Sequence, residues 1–196
     1  MKLDAYKALY DQDRFFNEVF KDQIYSDVLH KKKNVVVDIG ALAGEFSFWI
    51  YPDAGIIYSI EPEDESYKEL ESNVKVFEFD KVKPFRLAIA GENKERNLSM
   101  GGRGGHALRG ESGGQMVQAK TLATFMKDNN IAEIDILKID VEGAEDEIFK
   151  ADDFKTVVDK IGCIIGEHLD GVENILNNFG FKSVRRHGRN LFLERV

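Results

Sequence analysis

Val35-Val36-Val37-Asp38-Ile39-Gly40-Ala41-Leu42-Ala43-Gly44-Glu45-Phe46-Ser47 opens with three consecutive β-branched apolar residues and then breaks into a glycine turn. Continuous apolar, β-branched residues suit a strand covered on both faces, the usual setting of a strand in a parallel sheet. The turn is expected to bring backbone N–H groups close to a ligand, with the glycines removing side chains that would block its approach. Residues 46–51 predict a short helix stopped by Pro52. The glycine spacing is G-x-x-x-G rather than G-x-G-x-x-G, so a ligand without a pyrophosphate is expected.

Working outward, residues 55–60 repeat the apolar pattern and predict a second parallel strand, ending in Glu61. A carboxylate at that strand end can accept hydrogen bonds from both ribose hydroxyls of an adenosine ligand. The competing role for Glu61 is a solvated cap for the helix predicted from Pro62 to about residue 73. Residues 85–90, 134–139 and 161–165 predict further strands, alternating with helices over 122–129, 143–151 and about 172–178. Residues 181–186 and 190–194 predict a β-hairpin around His187-Gly188-Arg189, which makes one strand antiparallel. Upstream, apolar residues from Leu3 to Val28 recur at three- and four-residue intervals and predict one or two amphipathic helices covering a face of the sheet.

Ligands of open α/β sheets collect outside the carboxyl ends of the strands. Asp140 and Glu142 leave the fourth strand there and are candidates for taking a proton from a substrate, as is His168, which follows the fifth strand in Glu167-His168. Lys138 interrupts an apolar strand and is expected to pair with Asp140, two residues on and on the same face. A purely structural Asp140 would do no more than pair with Lys138 and cap the next helix. Residues 101–114 contain seven glycines and form either a linker or a loop that orders on binding. As a lid, that loop would present Arg103, His106 and Arg109 to a substrate.

The 196 residues suit one domain with an added element, divided here into an N-terminal helical extension over 1–33 and a main domain over 34–196. A formal charge of -8 disfavours nucleic acid as a partner, although the last fifteen residues carry about +4 as a basic edge. A single cysteine, Cys163, excludes an intramolecular disulfide and suits a reducing compartment. No metal-ligand pattern is present, so no metal is assigned. No apolar run is long enough to cross a bilayer, and a soluble, cytoplasmic chain is expected.

The set Asp38-Ile39-Gly40 with Gly44, Ile60-Glu61-Pro62, Leu70 with Asn73, Leu87-Ala88-Ile89-Ala90, Thr121-Leu122 and Leu137-Lys138-Ile139-Asp140-Val141-Glu142-Gly143-Ala144-Glu145 resembles the FkbM-type methyltransferases, from about Asn34 to the C-terminus. That resemblance implies a Rossmann-like α/β fold, with a seven-stranded, mostly parallel sheet, helices on both faces and an antiparallel C-terminal hairpin strand. It implies S-adenosylmethionine as cofactor, held by Asp38, Gly40, Ala41, Gly44, Glu61, Pro62, Ala88 and Asp140. It further implies methyl transfer to a hydroxyl of a small-molecule or carbohydrate acceptor. Two features depart from the family pattern: Ala41-Leu42-Ala43 lacks the polar residue often found in the turn, and His168 directly follows Glu167 instead of being spaced from it. The rivals are a non-catalytic nucleotide- or S-adenosylmethionine-binding module, an RNA methyltransferase approached by the basic edge, and a nicotinamide dehydrogenase, against which the glycine spacing counts. The pattern allows a homo-oligomer and does not name the acceptor.

Overall fold

The computed structural model describes residues 2–28, 30–99, 107–108 and 114–196. The chain enters through α1 (Lys2–Tyr10), α2 (Arg14–Phe16) and a π-helical turn (Asn17–Lys21). It then alternates through β1 (Val35–Ile39), α3 (Glu45–Ile50), β2 (Ile56–Ile60), α4 (Asp64–Val76) and β3 (Val82–Phe85). Four short strands follow: β4 (Ala88–Ile89), β5 (Lys94–Ser99), β6 (Ala107–Leu108) and β7 (Gln115–Lys120). Alternation resumes with α5 (Leu122–Asp128), β8 (Ile134–Ile139), α6 (Glu145–Phe149), β9 (Ile161–Gly166), α7 (Glu173–Asn178), β10 (Phe181–His187) and β11 (Asn190–Arg195).

Seven of these strands form one sheet in the order β10-β11-β9-β8-β1-β2-β3. The five central and edge strands β9, β8, β1, β2 and β3 are mutually parallel, while β11 runs antiparallel to both β9 and β10. The continuous apolar strands are explained by burial on both faces. Val37, Ile39, Leu137 and Ile164 pack on one side with Phe125 of α5, Phe149 of α6 and Leu176 of α7. Val36, Ile57, Ile136 and Cys163 pack on the other with Phe48 of α3, Leu70 of α4, and Tyr6 and Phe16 of the N-terminal segment. Pro84 lies in β3, the edge strand, where a missing N–H leaves no gap in the ladder.

Residues 85–90 depart from the single strand expected there. Phe85 ends β3 beside Ile60 of β2, the exposed Arg86 reaches out to Asp64 at 2.6 Å, and Ala88–Ile89 re-enters as β4 in a second sheet ordered β4-β7-β5-β6. This small sheet has its own core of Ala88, Ala90, Leu98, Val117 and Ala119. Its strands carry few apolar residues because one face meets solvent, as the exposed positions of Gln115–Lys120 show. The hairpin between β10 and β11 turns at Gly188, whose positive φ of 59° suits the first position of a tight two-residue turn.

Candidate active site

The carboxyl ends of β1, β2, β8 and β9 meet at one edge, with β1 as the point from which the chain leaves to β2 on one side and returns to β8 on the other. A cavity of about 870 Å³ opens there. Strain collects at the same edge. Of six described non-glycine residues with positive φ, three, Leu42, Glu142 and His168, follow the ends of β1, β8 and β9.

The glycine turn works differently from the expectation that its amides face a ligand. Gly40 and Ala41 both donate their N–H to the Ile60 carbonyl, each at 3.0 Å, and Leu42 donates to Glu61 Oε2 at 2.9 Å. These amides tie the turn to β2, and the glycines serve close packing. A Cβ on Gly40 would lie 1.8 Å from the Asp140 carbonyl oxygen, and one on Gly44 would lie 2.4 Å from the Phe48 ring and 2.8 Å from Leu70. Both have positive φ, 76° and 102°. Asn73 of α4 donates to the Ala43 carbonyl at 3.2 Å and accepts from the Tyr10 hydroxyl at 3.0 Å, linking the turn to α1.

Glu61 is buried, not solvated, and lines the cavity. Its Oε2 accepts the Leu42 N–H and its Oε1 the Glu63 N–H, each at 2.9 Å. The cap of α4 is instead Glu63, which accepts from Glu65 and Ser66 at 2.9 and 2.7 Å. Each Glu61 oxygen therefore keeps a free lone pair for another donor. Burial pushes the carboxyl up to about 7, against the pull of the Glu63 and Leu42 amides and the Lys138 charge.

Lys138 corrects the expected pairing with Asp140. Its ammonium lies 3.2 Å from Asp38 Oδ1 and donates to the carbonyls of Gly40 at 2.7 Å and Ile39 at 3.4 Å. The reason is register. Asp38 and Lys138 are direct cross-strand partners in β1 and β8, closer than positions two apart along one strand. Burial alone would discharge the lysine, but Asp38, together with Tyr25 and Asp140, outweighs it and holds the ammonium above its ordinary range. Asp38 Oδ2 in turn accepts from Ser47 at 2.6 Å, and Ser47 is 2.6 Å from Ser59. Asp140 is left facing the cavity with Glu142 and Glu167. Burial, then the Asp140 charge, raises both glutamates above the usual carboxylate range. The helix expected at residue 143 begins at Glu145, whose side chain accepts from the N–H of Val141 and Gly143 at 3.1 and 2.9 Å, so the acid that braces this turn is Glu145.

The family model described as the methyltransferase FkbM domain matches residues 38–183. This chain belongs to the FkbM methyltransferase family. By sequence alone, no curated protein matches it. The fold of this FkbM domain is similar to that of the precorrin-6y C5,15-methyltransferase of Geobacter metallireducens, with TM-score 0.53, 14% identity, and 88% of this chain and 84% of that one covered. It is also similar to an rRNA methylase of Streptococcus thermophilus, with TM-score 0.50, 10% identity, and 90% and 94% covered. A third similar structure is TrmK of M. capricolum in complex with S-adenosyl-homocysteine, with TM-score 0.51, 14% identity, and 89% and 66% covered. At these identities the likeness is one of fold.

Within the FkbM domain, Gly40, Ala41, Glu61, Pro62, Ala88, Asp140 and Glu142 all line the cavity. Asp38 and Gly44 stand behind its wall, in the contacts described above. His168 is 45% exposed, 3.8 Å from Glu167, and lines a separate cleft of about 290 Å³ that it shares with Glu142. Arg103, His106 and Arg109 lie outside the described residues. Three walls escaped the sequence pattern. Arg14, Phe15, Glu18 and Tyr25 come from the N-terminal segment, Leu98 and Leu108 from the second sheet, and His187 and Arg189 from the hairpin turn. The hairpin carried a signal as the basic edge and the N-terminal segment as an amphipathic repeat, in which Phe16 and Phe20 stack on each other in the core while Phe15 and Glu18 turn to the cavity. Among the described residues, no group of three or more His, Cys, Asp or Glu could hold a metal ion, and no helix is long and apolar enough to cross a membrane.

Proposed function

We propose that this FkbM domain moves the methyl of S-adenosylmethionine to a hydroxyl oxygen of a small-molecule or carbohydrate acceptor, in the cavity at the β1/β8 edge. The observation that carries this reading is Glu61: a buried carboxylate, aimed by two backbone amides, whose remaining lone pairs suit two adjacent ribose hydroxyls. The cavity volume of about 870 Å³ has room for a nucleoside and a second small molecule. S-adenosyl-homocysteine bound to the TrmK relative supports the same cofactor here.

Gly40, Ala41, Pro62 and Ala88 would form the close walls around the cofactor, with Asp38 and Gly44 supporting the turn from behind. Bound there, the cofactor supplies an electrophilic methyl group on a sulfonium. An alcohol is a poor nucleophile until its proton leaves, so the chain must hold the acceptor in line and remove that proton. Asp140 is assigned this role. It faces the cavity where β8 ends, and its competitor for a purely structural task, Lys138, is engaged with Asp38. Glu142 stands beside it with a raised proton affinity and can take the proton onward, whereas His168 opens on the neighbouring cleft. Residues 34–196 then constitute the transferase domain, and residues 1–33 an extension that closes one wall of the cavity. Arg103, His106 and Arg109 remain candidates for gripping the acceptor.

Transfer of radiolabelled methyl from S-adenosylmethionine to a panel of alcohols, sugars and amines tests the reading. Label is expected on hydroxyl acceptors. Asp140→Asn should lower turnover about 10²-fold or more, a far larger effect than any loss of S-adenosyl-homocysteine affinity. Label appearing only on nitrogen, carbon or RNA would contradict oxygen transfer, and undiminished turnover in Asp140→Asn would reassign the base.

A further inference from the structure

Lys138 is a buried ammonium in the wall of the cavity that no step of the proposed transfer uses. A lysine so placed is expensive unless partners meet it, and here the Gly40 and Ile39 carbonyls accept from it while the Asp38 carboxylate stands 3.2 Å away as its counter-charge. The two carbonyls belong to the end of β1 and the turn that follows it. The amides of that turn are held from the opposite side, by the Ile60 carbonyl and Glu61 at the end of β2. The turn is thus clamped through its N–H groups by β2 and, on the β8 side, through the Gly40 carbonyl by Lys138 and through the Ile39 carbonyl by both Lys138 and the Asp140 N–H, the latter at 3.0 Å. Gly40 sits in the left-handed region, and its position against the Asp140 carbonyl leaves no room to drift toward β8.

Lys138 on β8 and Glu61 at the end of β2 hold this turn from its two sides, and both line the cavity. The ionisable groups acting on Glu61 are Glu63, which disfavours the carboxylate, and Lys138, which favours it, alongside the amides of Leu42 and Glu63. The ionised carboxylate offers an acceptor on each oxygen to two adjacent hydroxyls, whereas protonation turns one of those oxygens into a donor.

We propose that Lys138 is the positioning residue of the cofactor half of the cavity, clamping the Gly40 turn and setting the charge against which Glu61 receives its ligand. This rests on the reading that an adenosine ribose binds at Glu61.

Removing the lysine alone would strand a buried Asp38, so Lys138→Met is paired with the double variant Asp38→Asn/Lys138→Met, which leaves no uncompensated charge. Two readouts apply to each folded protein. The first is the titration of the Glu61 carboxyl carbon by NMR in the ligand-free protein, assigned by its loss in Glu61→Gln. The second is S-adenosyl-homocysteine affinity by calorimetry between pH 6 and 9. The Glu61 midpoint is expected to rise by about half a pH unit or more in both variants, with affinity at pH 7 falling about fivefold or more and partly recovering at pH 9. Lys138→Arg, which keeps the charge, should return the midpoint to its wild-type position. A merely structural lysine would lower the melting temperature and leave the Glu61 midpoint unmoved, and that result overturns the proposal. Wild-type protein that binds no S-adenosyl-homocysteine would defeat the cofactor reading, while the ligand-free titration would still decide the role of Lys138.

Discussion

Tyr6 shows what a single residue contributes at a join. Its ring is fully buried among Tyr10, Phe16, Phe48, Phe77 and Phe79, yet its hydroxyl has no hydrogen-bond partner among the described residues. An unmet buried hydroxyl costs about 1–3 kcal/mol, so Tyr6→Phe is expected to stabilise the protein by about 1 kcal/mol and raise its melting temperature by roughly 2–4 °C. A lower melting temperature would mean that the hydroxyl has a partner in solution. Glu61 acts in the other direction. Its folded-state value near 7 lies above the ordinary 4.5, so the folded chain keeps this proton longer than the unfolded chain does. The contribution of Glu61 to stability is therefore greatest at acid pH and falls as pH rises from about 4.5 to 7. Denaturant melts at pH 5 and pH 8 should show a smaller acid-to-alkaline loss in Glu61→Gln than in wild type. Both Glu61 and Asp140 were legible as residues because strand ends can be read from local pattern. The partner of Lys138 was not, since a cross-strand pair depends on the register of two strands a hundred residues apart.

At the scale of elements, the N-terminal segment is the least expected part of the site. Residues 14–22 present two faces. Phe16 and Phe20 stack at 4.4 Å beneath Tyr6, while Arg14, Phe15, Glu18 and Asp22 reach the cavity, and the π-helical turn, closed by Asp22 N–H on the Asn17 carbonyl at 2.9 Å, sits where both faces must be served. Phe16→Ala should cost about 3–5 kcal/mol in chemical denaturation and loosen this wall, weakening acceptor binding more than S-adenosyl-homocysteine binding. A loss below about 1 kcal/mol would show that the segment packs loosely. The central strands β1, β2, β8 and β9 were readable because they are predominantly apolar, and the edge hairpin of β10 and β11 from its turn at Gly188, whereas β3 begins at Val82, ahead of the strand expected over 85–90. The second sheet was not readable, since Lys94–Ser99 and Gln115–Lys120 bury only a few side chains and look like polar loop in sequence. The step between Phe85 and Ala88 escaped for a different reason: one apolar run serves two sheets.

Taken whole, the molecule carries a charge of -8, and its cavity is lined by Asp140, Glu142 and Glu167 beside Glu61. The basic hairpin seen in sequence is partly neutralised by ion pairs, Arg186 with Asp170 and Arg195 with Asp159. Such a surface repels polyanions, so binding to structured RNA in filter assays is expected to be negligible even near 50 mM salt, and tight, steeply salt-dependent binding would move the acceptor to RNA. The central claim is that the cavity at the β1/β8 edge holds S-adenosylmethionine through Glu61. Calorimetry of S-adenosyl-homocysteine with wild type and Glu61→Ala tests it most directly. One site per chain is expected, weakened in Glu61→Ala by about 1.5–3 kcal/mol, or roughly 10- to 150-fold. Equal affinity in the two proteins, or no binding to wild type, would contradict it.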